Sequence, residues 1–178
     1  MTHTKKIALS GVFAGLSLAL MWTGSFVPWM DYVMPMLASM FTFLLVLELG
    51  PTWPTGVYVA TSILSALLLP NKVLALIYVM FFGGYPVLRY LMQQKLPKWL
   101  AWVLKFALFN AMMVASYYLA VFVFGLEFSD FGMFGQYAMV LTLLMGNVAF
   151  FAYDAAILSM FELLYHKRWR KKLQRIMG

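Results

Sequence analysis

Long apolar stretches follow one another along this chain, separated by short groups of polar, glycine and proline residues. A helix of about 20 residues crosses the hydrocarbon core of a bilayer, so each stretch predicts a membrane-spanning helix. The basic segment 166–178 is expected to extend into the cytoplasm. The fold class is therefore all-α, a single integral membrane domain built as a bundle of six helices. Its spans are predicted at residues 6–23, 34–49, 55–69, 73–92, 99–124 and 133–165.

The positive charges lie on one side of this arrangement. They cluster at 5–6, 89–98 and 167–175, next to the ends of apolar spans. Loops rich in lysine and arginine stay in the cytoplasm, so both termini are predicted to be inside. With this orientation Lys72 is the one cation on the outer side.

Composition agrees with the pattern. Hydrophobic residues make up 64% of 178 residues and charged residues 11%, whereas about 25% is usual for soluble domains. The net charge of +7 would suit nucleic acid, but the cations adjoin the spans and suit anionic lipid headgroups instead. The chain has no cysteine and shows no catalytic triad and no Walker motif. It is therefore predicted not to be an enzyme and to need no metal or cofactor.

Several ionisable residues are predicted to lie at membrane depth, and Lys105 and Asp154 are the deepest of them. The others, closer to the inner interface, are Glu48, Arg89 and Glu162. A lone charge in lipid is costly, so these side chains are expected to face inward and to pair. We predict an ion-pair network in the inner half, with Asp154 paired to Lys105 or Arg89. A role in proton relay or coupling is the open alternative.

The outer half combines aromatic side chains with a few polar groups, as a small-ligand site requires. The loop 24–32 contains Trp29, which is expected to close over such a site. The alternative is that these are ordinary interface aromatics, with Asn110 and Asn147 bonded between helices. The candidate ligand-binding residues are Trp22, Trp29, Asp31, Tyr32, Asn71, Lys72, Tyr78, Tyr117, Gln136, Tyr137 and Asn147.

The first span carries three small residues at four-residue spacing, Gly11, Gly15 and Ala19. This spacing places them on one helix face, where another helix can approach closely. The face predicts either docking of another subunit or packing within the bundle. In the fourth span, the segment 83–86 reads Gly-Gly-Tyr-Pro, which predicts an interruption of the helix, as a packing kink or as backbone facing a cavity.

Together these features resemble the substrate-binding S components of energy-coupling factor (ECF) vitamin transporters. The resemblance rests on six spans in a short chain, both ends inside, a Lys-Lys-Ile-Ala-Leu opening, the small face of the first helix and the aromatic loop after it. The family pattern on that helix is usually alanine, and here glycine occupies two of the three positions.

The resemblance implies a function in the plasma membrane of a bacterium. The chain would capture a vitamin or related micronutrient outside the cell, beneath the loop 24–32. It would dock through Gly11, Gly15 and Ala19 onto a membrane coupling subunit driven by two cytoplasmic ATPases. The alternative from another class is a structural membrane protein, such as the six-span rod-shape morphogenesis protein, with protein partners alone.

Overall fold

The computed structural model describes residues 2–27, 30–124 and 138–160, and every regular element in these ranges is helical. All-helical architecture is thus confirmed for the described part of the chain. The elements are α1 (His3–Gly24), α2 (Val33–Leu49), α3 (Thr52–Leu68), α4 (Lys72–Ile77), a π-helical segment (Tyr78–Phe82), α5 (Tyr85–Lys95), α6 (Lys98–Phe124) and α7 (Ala138–Met160).

The turn between α2 and α3 is tighter than the sequence predicts. Gly50 ends α2 with a φ of +76°, a left-handed conformation that glycine adopts at little cost. Helix α3 already begins at Thr52, three residues before the predicted start, and Pro54 lies in its first turn. Proline fits there because the first N–H groups of a helix have no partner within the helix.

The fourth predicted span is interrupted, as its glycines and proline indicate. Asn71 caps α4 by accepting a hydrogen bond from the Leu74 N–H at 3.1 Å. A π-helical segment follows, closed by the Gly83 N–H donating to the Tyr78 carbonyl at 2.8 Å. Helix α5 then begins with Pro86 in its first turn.

The ring of Tyr58 in α3 fills the space beside this interruption. A Cβ atom at Gly83 would lie 2.6 Å from the Tyr58 ring, so only glycine allows the approach. The Tyr58 hydroxyl donates to the Val79 carbonyl at 2.7 Å, within the π-helical segment. The interruption therefore packs against a neighbouring helix, which favours the packing interpretation of the segment 83–86.

Helix α2 lies at the centre of the described bundle and contacts α1, α3, α4, α5, α7 and the π-helical segment. Two apolar clusters hold the bundle together. One is aromatic and includes Phe109 and Phe150, whose rings stack with centroids 4.6 Å apart. The other cluster surrounds Met21, Ala38 and Tyr78, between α1, α2, α4 and the π-helical segment.

Three helical segments among the described residues are long and apolar enough to cross a membrane: His3–Gly24, Lys72–Lys95 and Lys98–Ser116. Two shorter apolar helical stretches, Val33–Leu49 and Leu143–Ser159, lie beside them. Length and composition thus make the chain compatible with membrane insertion. The predicted end of the sixth span and the basic segment 166–178 lie outside the described residues.

Candidate functional site

The buried ionisable residues of α5, α6 and α7 meet at one point. Asp154 lies 2.7 Å from Arg89, measured from carboxylate Oδ1 to guanidinium Nε. Its other oxygen, Oδ2, lies 3.1 Å from Lys105 Nζ. Side-chain exposure is 2% for Arg89, 4% for Lys105 and 1% for Asp154. The structure thus pairs Asp154 with both cations, where the sequence predicted one of them.

Tyr85 completes this cluster, and Tyr153 packs against the Tyr85 ring. The Tyr85 hydroxyl donates to Asp154 Oδ1 at 2.5 Å, and Tyr153 hydrogen-bonds Ser39 of α2. We call Tyr85, Arg89, Lys105 and Asp154 the charged cluster. Asp154 thus contacts two cations and accepts hydrogen bonds from Lys105 and from the neutral Tyr85 hydroxyl.

Sequence reasoning missed Tyr85 as a member of this cluster. The signal was present, because Tyr85 and Arg89 are four residues apart on one helix and such residues share a face. No comparable pattern in the sequence predicts the contact of Tyr153 with Ser39. It depends on how α7 packs against α2, which spacing along the chain does not reveal.

At the other end of the bundle, Asp31 and Asn71 are brought together. The Asn71 amide donates to Asp31 Oδ1 at 2.7 Å while its own oxygen caps α4. Burial, with a smaller contribution from the Asp31 charge, raises the pKa of the Tyr32 phenol, so Tyr32 stays a neutral hydrogen-bond donor. Lys72 is directed elsewhere and donates to the Ala66 carbonyl of α3 at 2.9 Å.

Tyr78 lies inside the bundle rather than on the wall of an open pocket. Its side chain is fully buried, and the hydroxyls of Thr42 and Thr61 flank its phenol oxygen. Around it, the described side chains of α1, α2 and α4 are closely packed. Access of a ligand to this ring therefore requires these helices to separate.

Trp22 is 45% exposed and lines an apolar groove of about 220 Å³ between the ends of α1 and α3. The other lining residues are Leu18, Ala19, Leu68 and Leu69. The groove is therefore continuous with the small-residue face of α1 through Ala19, and its lining is mainly apolar.

Asn147 forms a reciprocal pair with Asn110 across α6 and α7. Each amide donates to the oxygen of the other at 2.9 Å and to the carbonyl four residues earlier at 2.8 Å. All four amide N–H groups are used, so the pair acts as a link between helices. This arrangement favours the interhelical interpretation of Asn147 over the ligand-binding one.

Four other candidate ligand-binding residues have no described side chain. Trp29, Gln136 and Tyr137 lie outside the described residues, and Tyr117 is described through its backbone alone, as part of α6.

Gly11, Gly15 and Ala19 lie on an exposed face of α1. A Cβ atom at Gly11 or Gly15 would meet no heavy atom within 4 Å, so these positions do not pack within the described bundle. Ile7, Val12 and Leu16, also exposed, border the stripe of small residues. We call this surface the α1 face.

Within the described ranges, no group of three histidine or acidic side chains could hold a metal ion. Comparison with known proteins found no matching family model, no matching curated protein and no matching solved structure.

Proposed function

We propose that this chain is a membrane-embedded binding protein that captures a small micronutrient outside a bacterial cell and delivers it through an ECF-type transporter. In this proposal it spans the plasma membrane six times, with both termini inside. Its α1 face docks on a membrane coupling subunit that two cytoplasmic ATPases drive.

The observation that supports the proposal most is the openness of the α1 face. In lipid, helices associate through close packing, and glycine or alanine lets two backbones approach. Internal packing would have placed Gly11 and Gly15 against α2 or α3, yet nothing lies within 4 Å of either position. Three small residues on an exposed apolar helix leave a shallow channel that suits a partner helix.

The six-span arrangement uses α1, α2, α3, the interrupted segment Lys72–Lys95, α6 and α7. Helices α2 and α3 have 17 residues each, and 17 residues extend about 26 Å at 1.5 Å per residue. Helices of this length cross a hydrocarbon core of about 30 Å with local thinning of the bilayer. The positive-inside rule then gives the orientation.

The second candidate is a structural or assembly membrane protein without a ligand. The close packing around Tyr78 favours it, as does the self-contained pair of Asn110 and Asn147. Both candidates use the α1 face for a protein partner, so ligand binding is what separates them.

Fluorescence of the purified chain tests capture. Titration with a panel of planar vitamins is expected to give a saturable change in tryptophan emission for one of them. A Trp22→Phe variant locates the change, since Trp22 lies at the outer end of α1. A flat response across the panel would favour the assembly protein.

A further inference from the structure

The charged cluster holds more positive than negative charge. Two cations, Arg89 and Lys105, contact the single carboxylate of Asp154. With all three ionised, the contacting side chains among the described residues carry a net charge of +1. An unbalanced charge at 4% exposure or less is costly in a low-dielectric interior, and an anion that binds there removes the cost.

Arg89 also has hydrogen-bonding capacity that the described residues do not use. Its Nε lies close to Asp154, but neither Nε nor Nη2 donates to an acceptor at hydrogen-bonding geometry. Asp154 Oδ1 already accepts from Tyr85 at 2.5 Å and from Lys105 at 3.3 Å, which crowds that oxygen. Both unused nitrogens belong to a side chain that is 2% exposed.

The two unused nitrogens share one edge of the planar guanidinium. That edge binds a carboxylate through two parallel N–H···O bonds, a geometry that lysine cannot reproduce. A spherical anion offers this edge a single acceptor atom, whereas each oxygen of a carboxylate accepts a hydrogen bond from one of the two N–H groups. The chemistry of the edge therefore selects a planar oxyanion.

We propose that the charged cluster is a binding site for the carboxylate group of a small organic anion. The carboxylate accepts both N–H groups from Arg89, and Lys105 supplies the second positive charge beside it. Asp154 and Tyr85 hold the two cations in place. This site is separate from the proposed outer site and does not depend on the transport function.

The probe is formate, the smallest carboxylate. The full chain is purified in detergent, and its thermal unfolding is followed with sodium formate, chloride or fluoride at equal sodium concentration and fixed pH. A ligand that binds the folded state raises stability in a saturable way. We expect formate to do so at lower concentration than chloride or fluoride.

Two variants in the site and one outside it sharpen the test. Arg89→Lys keeps the charge and removes the planar edge, and Lys105→Met removes the excess charge. Each is expected to raise the apparent Kd for formate about tenfold or more, the scale of one charge-assisted hydrogen bond. Lys6→Met removes the same charge from α1 and is expected to leave the response unchanged.

The proposal is wrong if formate gives the wild-type chain no saturable stabilisation beyond that of chloride. It is also wrong if Lys105→Met and Lys6→Met respond to formate alike. Should Arg89→Lys not fold, the comparison of these two lysine variants decides the matter alone.

Discussion

Asp154→Asn is the substitution to which this structure is expected to be most sensitive. The change keeps the shape of the side chain and removes its charge. Arg89 and Lys105 then lie buried beside each other without a counter-ion from Asp154. Removing one partner of a buried ion pair typically costs about 3–5 kcal/mol, mostly because the other charge is left unpaired.

The charge count of the cluster predicts an asymmetry between its members. Lys105→Met removes the excess cation and leaves Arg89 paired with Asp154, so the remaining charges balance. Its cost is expected to be less than half that of Asp154→Asn. The double variant is expected to be more stable than Asp154→Asn alone, because it strands one cation rather than two.

Unfolding of the purified chain by increasing fractions of a denaturing detergent measures these free energies. Asp31→Asn is the matched control, since the same chemical change at the half-buried pair with Asn71 is expected to cost below about 1 kcal/mol. Equal costs for Asp154→Asn and Asp31→Asn would refute the buried network. So would a Lys105→Met variant less stable than Asp154→Asn.

Two further predictions concern the helix link and the α1 face. In a double-mutant cycle of Asn110→Ala and Asn147→Ala, each single change is expected to lower the free energy of unfolding by about 1 kcal/mol. The double change is expected to lower it little further, because either alanine alone already breaks the reciprocal bonds. Additive costs would contradict the pairing. Gly15→Leu is expected to abolish assembly with a coupling subunit and to leave thermal stability unchanged. The control Gly56→Leu, at an equally open glycine of α3, is expected to change neither assembly nor stability. Loss of folding in Gly15→Leu would indicate internal packing instead.

Much of the helical architecture was predictable because the hydropathy of a segment indicates whether that segment is removed from water. The boundaries of α1, α2 and α6 lie within three residues of the predicted spans. The start of α3 was predicted three residues too late, because a first turn tolerates proline and Pro54 lies within it. The π-helical segment was not predicted, because glycine and proline mark an interruption without specifying how it is closed.

The candidate sites also differ in how far the sequence predicts them. The charged cluster followed from the cost of burying charge, which leaves Asp154 few alternatives to Arg89 and Lys105. The position of Tyr78 did not follow, since an aromatic residue suits a core and a ligand pocket equally well in sequence. Its burial among α1, α2 and α4 depends on tertiary packing that residue type does not encode.

Recovery of partner subunits from bacterial membranes is the decisive experiment for the proposed assembly with a coupling subunit and two ATPases. The tagged chain is solubilised in mild detergent, and the proteins that co-purify with it are identified and quantified. The account predicts a membrane coupling subunit and two ATPases with the wild-type chain and with Gly56→Leu, and none of the three with Gly15→Leu. A wild-type chain that brings down no ATPase, or a Gly15→Leu chain that retains them, would contradict it.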